Sequence, residues 1–313
     1  MIETFDLVKK YDDKAVVNNL NLKVGSGEIF GFLGPNGAGK TTTMKILLGL
    51  VHPTSGTGNV AGFDIVHKVL DVRRSCGVLP DPAGFYDNLN ARQNLKFYGS
   101  LYNLGGDDLK NRVETTLELV GLKDAKDKKI GKFSKGMRQR FGVAQAIVHD
   151  PPVLMFDEPT AGIDPQGAED FRVLVRQLKA RGKTIFLTSH VMPEVEAICD
   201  RIGIIINGEM KICGNVDELV NQYSRRQGYQ LKLRVKDIDE GTVRNSLKNV
   251  ANIYSIVRND DFFLVNAKED VSEDVSRSII KEKGVITELE SYRPSLNEIF
   301  LDVTRPVASG EQG

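Results

Sequence analysis

Residues 34 to 42 read Gly34-Pro35-Asn36-Gly37-Ala38-Gly39-Lys40-Thr41-Thr42 and meet the pattern G-x-x-x-x-G-K-[ST] at every fixed position. This stretch restricts the fold more than any other part of the chain. The pattern works only as a loop between a buried strand and the start of a helix. Glycines let successive backbone N–H groups turn inward as an anion nest. A lysine at position 40 can reach the β- and γ-phosphates of a nucleoside triphosphate, and the Thr41 hydroxyl can hold Mg²⁺. Thr42 onward reads as a helix whose N-terminus adds partial positive charge beside the phosphates. The flanks agree. Glu28–Leu33 is a short apolar run, and Ile46, Leu47 and Leu50 follow at helical spacing. No G-x-G-x-x-G stands at this place, so a dinucleotide site is the weaker reading.

The rest of the chain sorts into two patterns. Residues 1 to about 35 alternate apolar runs with turns, consistent with an antiparallel sheet. Residues from about 84 to 150 carry helical spacing, such as Phe141, Ala144, Ile147 and Val148. Apolar runs at Val153–Phe156, Thr184–Thr188 and Ile202–Ile206 alternate with helical stretches, which argues for an α/β layer structure with a parallel sheet. From residue 225 the order becomes β-α-β-β-α-β: a strand at 229–236, a helical stripe of Val243, Leu247 and Val250, a hairpin about Asn259-Asp260, a second stripe of Val271, Val275 and Ile279, and a strand at 285–293. That order is ferredoxin-like. A last helix starts at Pro294 and carries Leu296, Ile299, Phe300 and Val303 on one face. The expected domains are 1–224, with a helical subdomain over about 84–150, then 225–304, then a disordered tail at 305–313.

Composition excludes several classes. Among 313 residues, 42 Lys+Arg balance 42 Asp+Glu, so no strongly basic nucleic-acid surface is expected. Cys76, Cys199 and Cys213 are odd in number and not in C-x-x-C spacing, which points to small buried residues in a reducing cytosol. The N-terminus has no basic start or apolar core of a secretory signal. No apolar run approaches the roughly 18 residues of a membrane span.

Asp157-Glu158 ends the Val153–Phe156 run. In an α/β sheet the carboxyl ends of strands present the ligand site. An aspartate there can hold Mg²⁺, and the adjacent glutamate can take a proton from attacking water. His190 follows the Thr184–Thr188 run and can orient that water or stabilise charge at the γ-phosphate. His52, His67 and His149 have no such context. Phe133-Ser134-Lys135-Gly136-Met137 lies ahead of an amphipathic helix, with Ser134 as its N-cap, a second anion-binding arrangement. The lysines at 123, 126, 128, 129, 132 and 135 read as a solvated face.

Over residues 1–225 the chain resembles the ATP-binding cassette (ABC) ATPases. Its phosphate loop is Gly34–Thr41, its Walker B segment Val153–Glu158, its D-loop Ala161-Gly162-Ile163-Asp164 and its switch histidine His190. Phe133–Met137 stands where that family has L-S-G-G-Q, and Tyr11 where an aromatic stacks on adenine. The resemblance implies a P-loop α/β fold and Mg²⁺-dependent ATP hydrolysis, with Glu158 and His190 catalytic and Thr41, Asp81 and Asp157 at the metal. It implies a homodimer in which Ser134, Lys135, Gly136 and Met137 of one chain meet ATP on Lys40 of the other. It also implies a cytoplasmic protein held at the inner face of the membrane by a separate permease.

Two departures stand out. Asp81 replaces the usual glutamine, which puts the sensing role of that position in doubt. Lys135 and Met137 replace a glycine and a glutamine. Pro294–Leu301 resembles the end of the C-terminal domain of ABC exporters that partner a six-helix permease. A non-transport ABC ATPase, or an importer subunit with a ligand-sensing C-terminal domain, are the alternatives.

Overall fold

The structure, a computed structural model, describes residues 1–292 and 295–304. Arg293, Pro294 and the tail expected at 305–313 lie outside the described residues. The chain divides at Asn215/Val216 into two compact units.

The first unit opens with β1 (Ile2–Tyr11) and β2 (Lys14–Val24), followed by β3 (Ile29–Leu33), α1 (Lys40–Leu47), β4 (Ser55–Val60), β5 (Phe63–Asp64), α2 (Val69–Arg74) and β6 (Cys76–Leu79). Helices α3 (Ala91–Leu101), α4 (Gly106–Leu119) and α5 (Lys135–Ile147) come next, where the helical subdomain is expected. The unit ends with β7 (Val153–Asp157), α6 (Pro165–Ala180), β8 (Thr184–Ser189), α7 (Met192–Glu196), β9 (Arg201–Ile206) and β10 (Glu209–Asn215).

Two sheets result. One is antiparallel in the order β2-β1-β4-β5, and the other runs β10-β9-β3-β8-β7-β6. The expected N-terminal antiparallel sheet therefore takes two of its strands from beyond the phosphate loop. β3 belongs instead to the second sheet, parallel to both β8 and β9. The reason lies in burial. All five residues of β3 are buried, as are those of β7 and β8, and a strand covered on both faces needs no alternation. β1 and β2 alternate, and their inward residues Leu7, Val17, Leu20 and Leu22 share a core with Met44, Ile46 and Leu47 of α1 and with Phe32, Met155 and Phe186 of the parallel sheet. Helix α1 is thus fixed between two sheets, which holds the loop before it.

The second unit begins with α8 (Val216–Gln227), earlier than the boundary expected at 224/225. Helix α8 packs on β11 (Tyr229–Lys236) and on α11 (Leu296–Thr304). Between them lie α9 (Glu240–Leu247), β12 (Ile253–Asn259), β13 (Phe262–Ala267), α10 (Ser272–Lys281) and β14 (Val285–Ser291). The sheet order β12-β13-β11-β14 is antiparallel throughout, the ferredoxin-like arrangement. Leu231, Leu233, Val243, Val265, Val275 and Ile279 form its core. The stripe of the last helix has buried Leu296 and Ile299.

Cys76 and Cys199 are buried, but Cys213 is exposed, because β10 is an edge strand. Of the lysines expected to be a solvated face, Lys123 pairs with Glu118 and Lys126 with Glu114.

His149 packs inside the first unit. Its ring stacks on Tyr102 with centroids 3.6 Å apart, and Nε2 lies 3.2 Å from the Cys76 carbonyl oxygen. Burial pushes its pKa down to about 4, against the smaller opposing pull of that carbonyl. The folded imidazole therefore stays neutral where an unfolded one, near 6.5, takes a proton. Protonation favours the unfolded chain, so stability is full above pH 6.5 and falls as pH drops towards about 4. The loss totals about 3 kcal/mol. His149→Phe keeps a stacking ring without the titration. Urea unfolding at pH 7 and about pH 5 should show a smaller acid loss in this variant, and an equal loss would refute the assignment.

Candidate functional site

The carboxyl ends of β3, β7 and β8 meet at one level, because Leu33 pairs with Ser189 and Asp157 with Thr188. The residues that follow these ends, Gly34, Glu158 and His190, are brought together by that register. At Gly39, the N-cap of α1, φ is +110°, and a side chain would strike the Val16 carbonyl oxygen, so the position requires glycine. The loop is also tied from outside. Gly208 N–H donates to the Ala38 carbonyl at 3.0 Å, and Asn18 N–H to the Gly208 carbonyl at 2.8 Å.

Lys40 is 5% exposed. Its ammonium donates to the carbonyls of Gly34 at 2.6 Å and Pro35 at 3.3 Å, and pairs with Glu158 Oε1 at 3.2 Å. The other Glu158 oxygen lies 2.7 Å from His190 Nδ1. One carboxylate thus links the phosphate-loop lysine to the histidine. Glu158 itself has φ +46°, a left-handed conformation that costs a non-glycine residue energy. Its N–H donates to Thr188 Oγ1 at 3.0 Å, which holds the turn.

Asp157 is 6% exposed and accepts from the Thr188 hydroxyl at 2.5 Å and the Thr41 hydroxyl at 3.0 Å. Thr188 therefore fixes both acids, one through each function of its hydroxyl. Sequence reading assigned Thr188 only to a strand. The signal available was its place opposite the Walker B aspartate, which needs the strand register to be known. The Thr41 hydroxyl and the Asp157 carboxylate form a hard-oxygen pair suited to Mg²⁺. Among the described residues no cluster of three or more His, Cys, Asp or Glu side chains could hold a metal. Such a site matches an ion bound by one or two protein oxygens, with phosphate and water completing the octahedron.

Comparison with known proteins settles the family. Residues 17–161 match the family model described as ABC transporter, and residues 214–304 the one described as ATP-binding protein DrrA1-3-like, C-terminal domain. The linearmycin resistance ATP-binding protein LnrL of Bacillus subtilis is 35% identical over 309 residues, which is 97% of this chain and 98% of that protein. The chain belongs to the ABC transporter ATP-binding proteins. It is an ATPase, the nucleotide-binding subunit of a transporter. The bacitracin transport ATP-binding protein BcrA of Bacillus licheniformis is 44% identical over 211 residues, 67% of this chain and 68% of that one. Among solved structures, one titled as the ATP binding subunit of an ABC transporter superimposes with a TM-score of 0.66 at 29% identity, covering 72% of this chain and 94% of its own. A dimeric post-hydrolysis cassette, MJ0796 bound to ADP and Pi, shares the fold at a TM-score of 0.63, covering 69% of this chain and 99% of that one at 23% identity.

The ABC ATPase subunit places the remaining candidate residues as follows. Tyr11 ends β1 and is 47% exposed, with Lys9 Nζ 4.9 Å from the ring centroid. Asp81 lies two residues past β6, next to β7 in the sheet, and is exposed. No hydrogen bond joins it to Thr41 or Asp157 among the described residues. Ser134 is the N-cap of α5, accepting from Met137 N–H at 3.3 Å. Asp164 is the N-cap of α6, accepting from Gly167 N–H at 2.7 Å. Ser134, Lys135, Gly136 and Met137 line a cavity of about 400 Å³ together with Gly162 and Asp164 of the same chain. No residue of the phosphate loop lines it. The structure thus brings signature and D-loop together but does not bring them to the loop of their own chain.

Proposed function

We propose that this subunit binds Mg²⁺–ATP on its phosphate loop, pairs with a second copy to enclose it, and drives a separate membrane permease in export. The observation that carries the chemistry is the Lys40–Glu158–His190 link. Gly34, Pro35, Asn36, Gly37, Ala38, Gly39 and Thr42 shape the loop or begin its helix, and backbone N–H groups of its non-proline residues, with those of the helix start, face phosphate. Tyr11 offers a ring to adenine. Lys40 would hold the β- and γ-phosphates, and Thr41 and Asp157 would hold Mg²⁺, with Asp81 a further candidate for it. The metal, when bound, neutralises phosphate charge. Glu158 takes the proton of the attacking water at Oε1 or Oε2, and His190 orients that carboxylate and faces the γ-phosphate. In the dimer Ser134, Lys135, Gly136 and Met137 close over the partner's ATP, and Asp164 sets the turn beside them. ATP bound by two chains favours the closed dimer through that extra contact, and its hydrolysis removes the favour.

A membrane partner is supported by an exposed aromatic surface. Tyr86 and Phe97 are 50% and 40% exposed with ring centroids 5.0 Å apart, and Leu101 beside them is 62% exposed. No helix among the described residues is long and apolar enough to cross a membrane; an exposed aromatic cluster of this kind suits contact with a partner. The names of LnrL and BcrA, a resistance and an antibiotic transport protein, favour export. Phe97→Asp should release the chain from the membrane fraction of its own cells while the purified variant hydrolyses ATP as before. Retention of this variant on the membrane would refute docking through the aromatic surface.

A further inference from the structure

A cavity of about 570 Å³ lies among α4, the segment after α5 and the end of α6. Its lining does not include the phosphate loop, the Asp157–Glu158 pair or Ser134–Met137. Three cations line it, Arg112, Arg181 and Lys183, against two carboxylates, Asp108 and Asp150. One positive charge is in excess. Lys183 is committed to Asp150 at 2.5 Å. Among the described residues Arg112 meets Asp108 only through Nε, at 3.3 Å, which leaves both terminal nitrogens of its fork for another acceptor. Arg181 makes no side-chain ion pair or hydrogen bond among the described residues. Thr116 is 7% exposed, lines the cavity, and its hydroxyl makes no hydrogen bond among the described residues. Thr115 and the apolar Leu119, Ile147, Val148 and Leu178 complete the wall.

We propose that this cavity is a second anion site, for a small phosphorylated molecule, separate from the nucleotide site. Planar guanidinium forks match the paired oxygens of a phosphoryl group, and the Thr116 hydroxyl on the cavity wall offers a further donor. A volume in the usual range of ligand pockets leaves room for more than the phosphoryl group, and the apolar residues of the wall can cover part of such a molecule. Helix dipoles alone explain cations near the C-terminus of α6, but not the fork of Arg112 in the middle of α4.

The test uses the full chain with saturating Mg²⁺–ADP, so that the phosphate loop is filled, and inorganic pyrophosphate as the probe in calorimetry. A saturable event should remain in the wild type. It should weaken about tenfold or more in Arg181→Ala and in Arg112→Gln, as loss of a charged hydrogen bond implies. Arg181→Lys should recover part of it. ADP affinity and ATP turnover should be unchanged in Arg181→Ala, an exposed substitution that also guards against misfolding. Absence of a second event, or one that both Arg181→Ala and Arg112→Gln leave unchanged, overturns the proposal, the latter outcome marking an adventitious ion only.

Discussion

Glu158→Gln should lower ATP turnover by about 10²- to 10⁴-fold, the range for loss of a general base, with ATP affinity retained. The amide keeps the shape of the side chain and can still accept from His190, whose Nδ1 lies 2.7 Å away. What it loses is the basicity to take a proton and the negative charge facing Lys40 at 3.2 Å. Because the γ-phosphate then persists, the closed dimer should persist as well. Size-exclusion chromatography with Mg²⁺–ATP should show the variant as a dimer where the wild type returns to monomer. A monomeric variant with wild-type turnover would reject both the role of Glu158 and the dimer cycle.

Lys40→Ala should fail one step earlier. A charge-assisted hydrogen bond to phosphate contributes about 1.5–3 kcal/mol, so ATP affinity should drop about 10- to 100-fold. Turnover should fall further, because Glu158 loses its cationic partner in a site where the lysine is nearly fully buried. Calorimetry with ATP separates the two variants. The glutamine variant binds and does not turn over, whereas the alanine variant binds poorly. Equal affinity in Lys40→Ala and wild type would remove the lysine from the phosphate site.

The contrast between these residues and Thr188 shows what a sequence exposes. Gly34 to Thr41 is legible because its function is carried by consecutive backbone N–H groups, and local residue types decide whether a backbone can turn that way. Gly39 at φ +110° is such a case. Ser134 is legible as a cap for the same reason, since a helix start is a local event. The C-terminal strand and helix order was legible through periods of two and 3.6, which follow from backbone geometry. Tertiary packing moved the boundary at 224/225 to Asn215/Val216, because α8 packs on β11 and α11. The same packing took β4 and β5 into the N-terminal sheet and left Cys213 on an edge.

The sequence by itself determined the phosphate loop, the paired acids after an apolar strand, the histidine after another, and the two-unit plan. Those depend on neighbours along the chain. Only the tertiary structure decided that Asp157 and Thr188 share a register position, that Thr188 holds both acids through one hydroxyl, and that Glu158 reaches Lys40 and His190 from a left-handed turn. Each of these contacts joins residues 30 or more positions apart. Their distances are set by strand pairing and by the burial of α1 between two sheets, which no local pattern records.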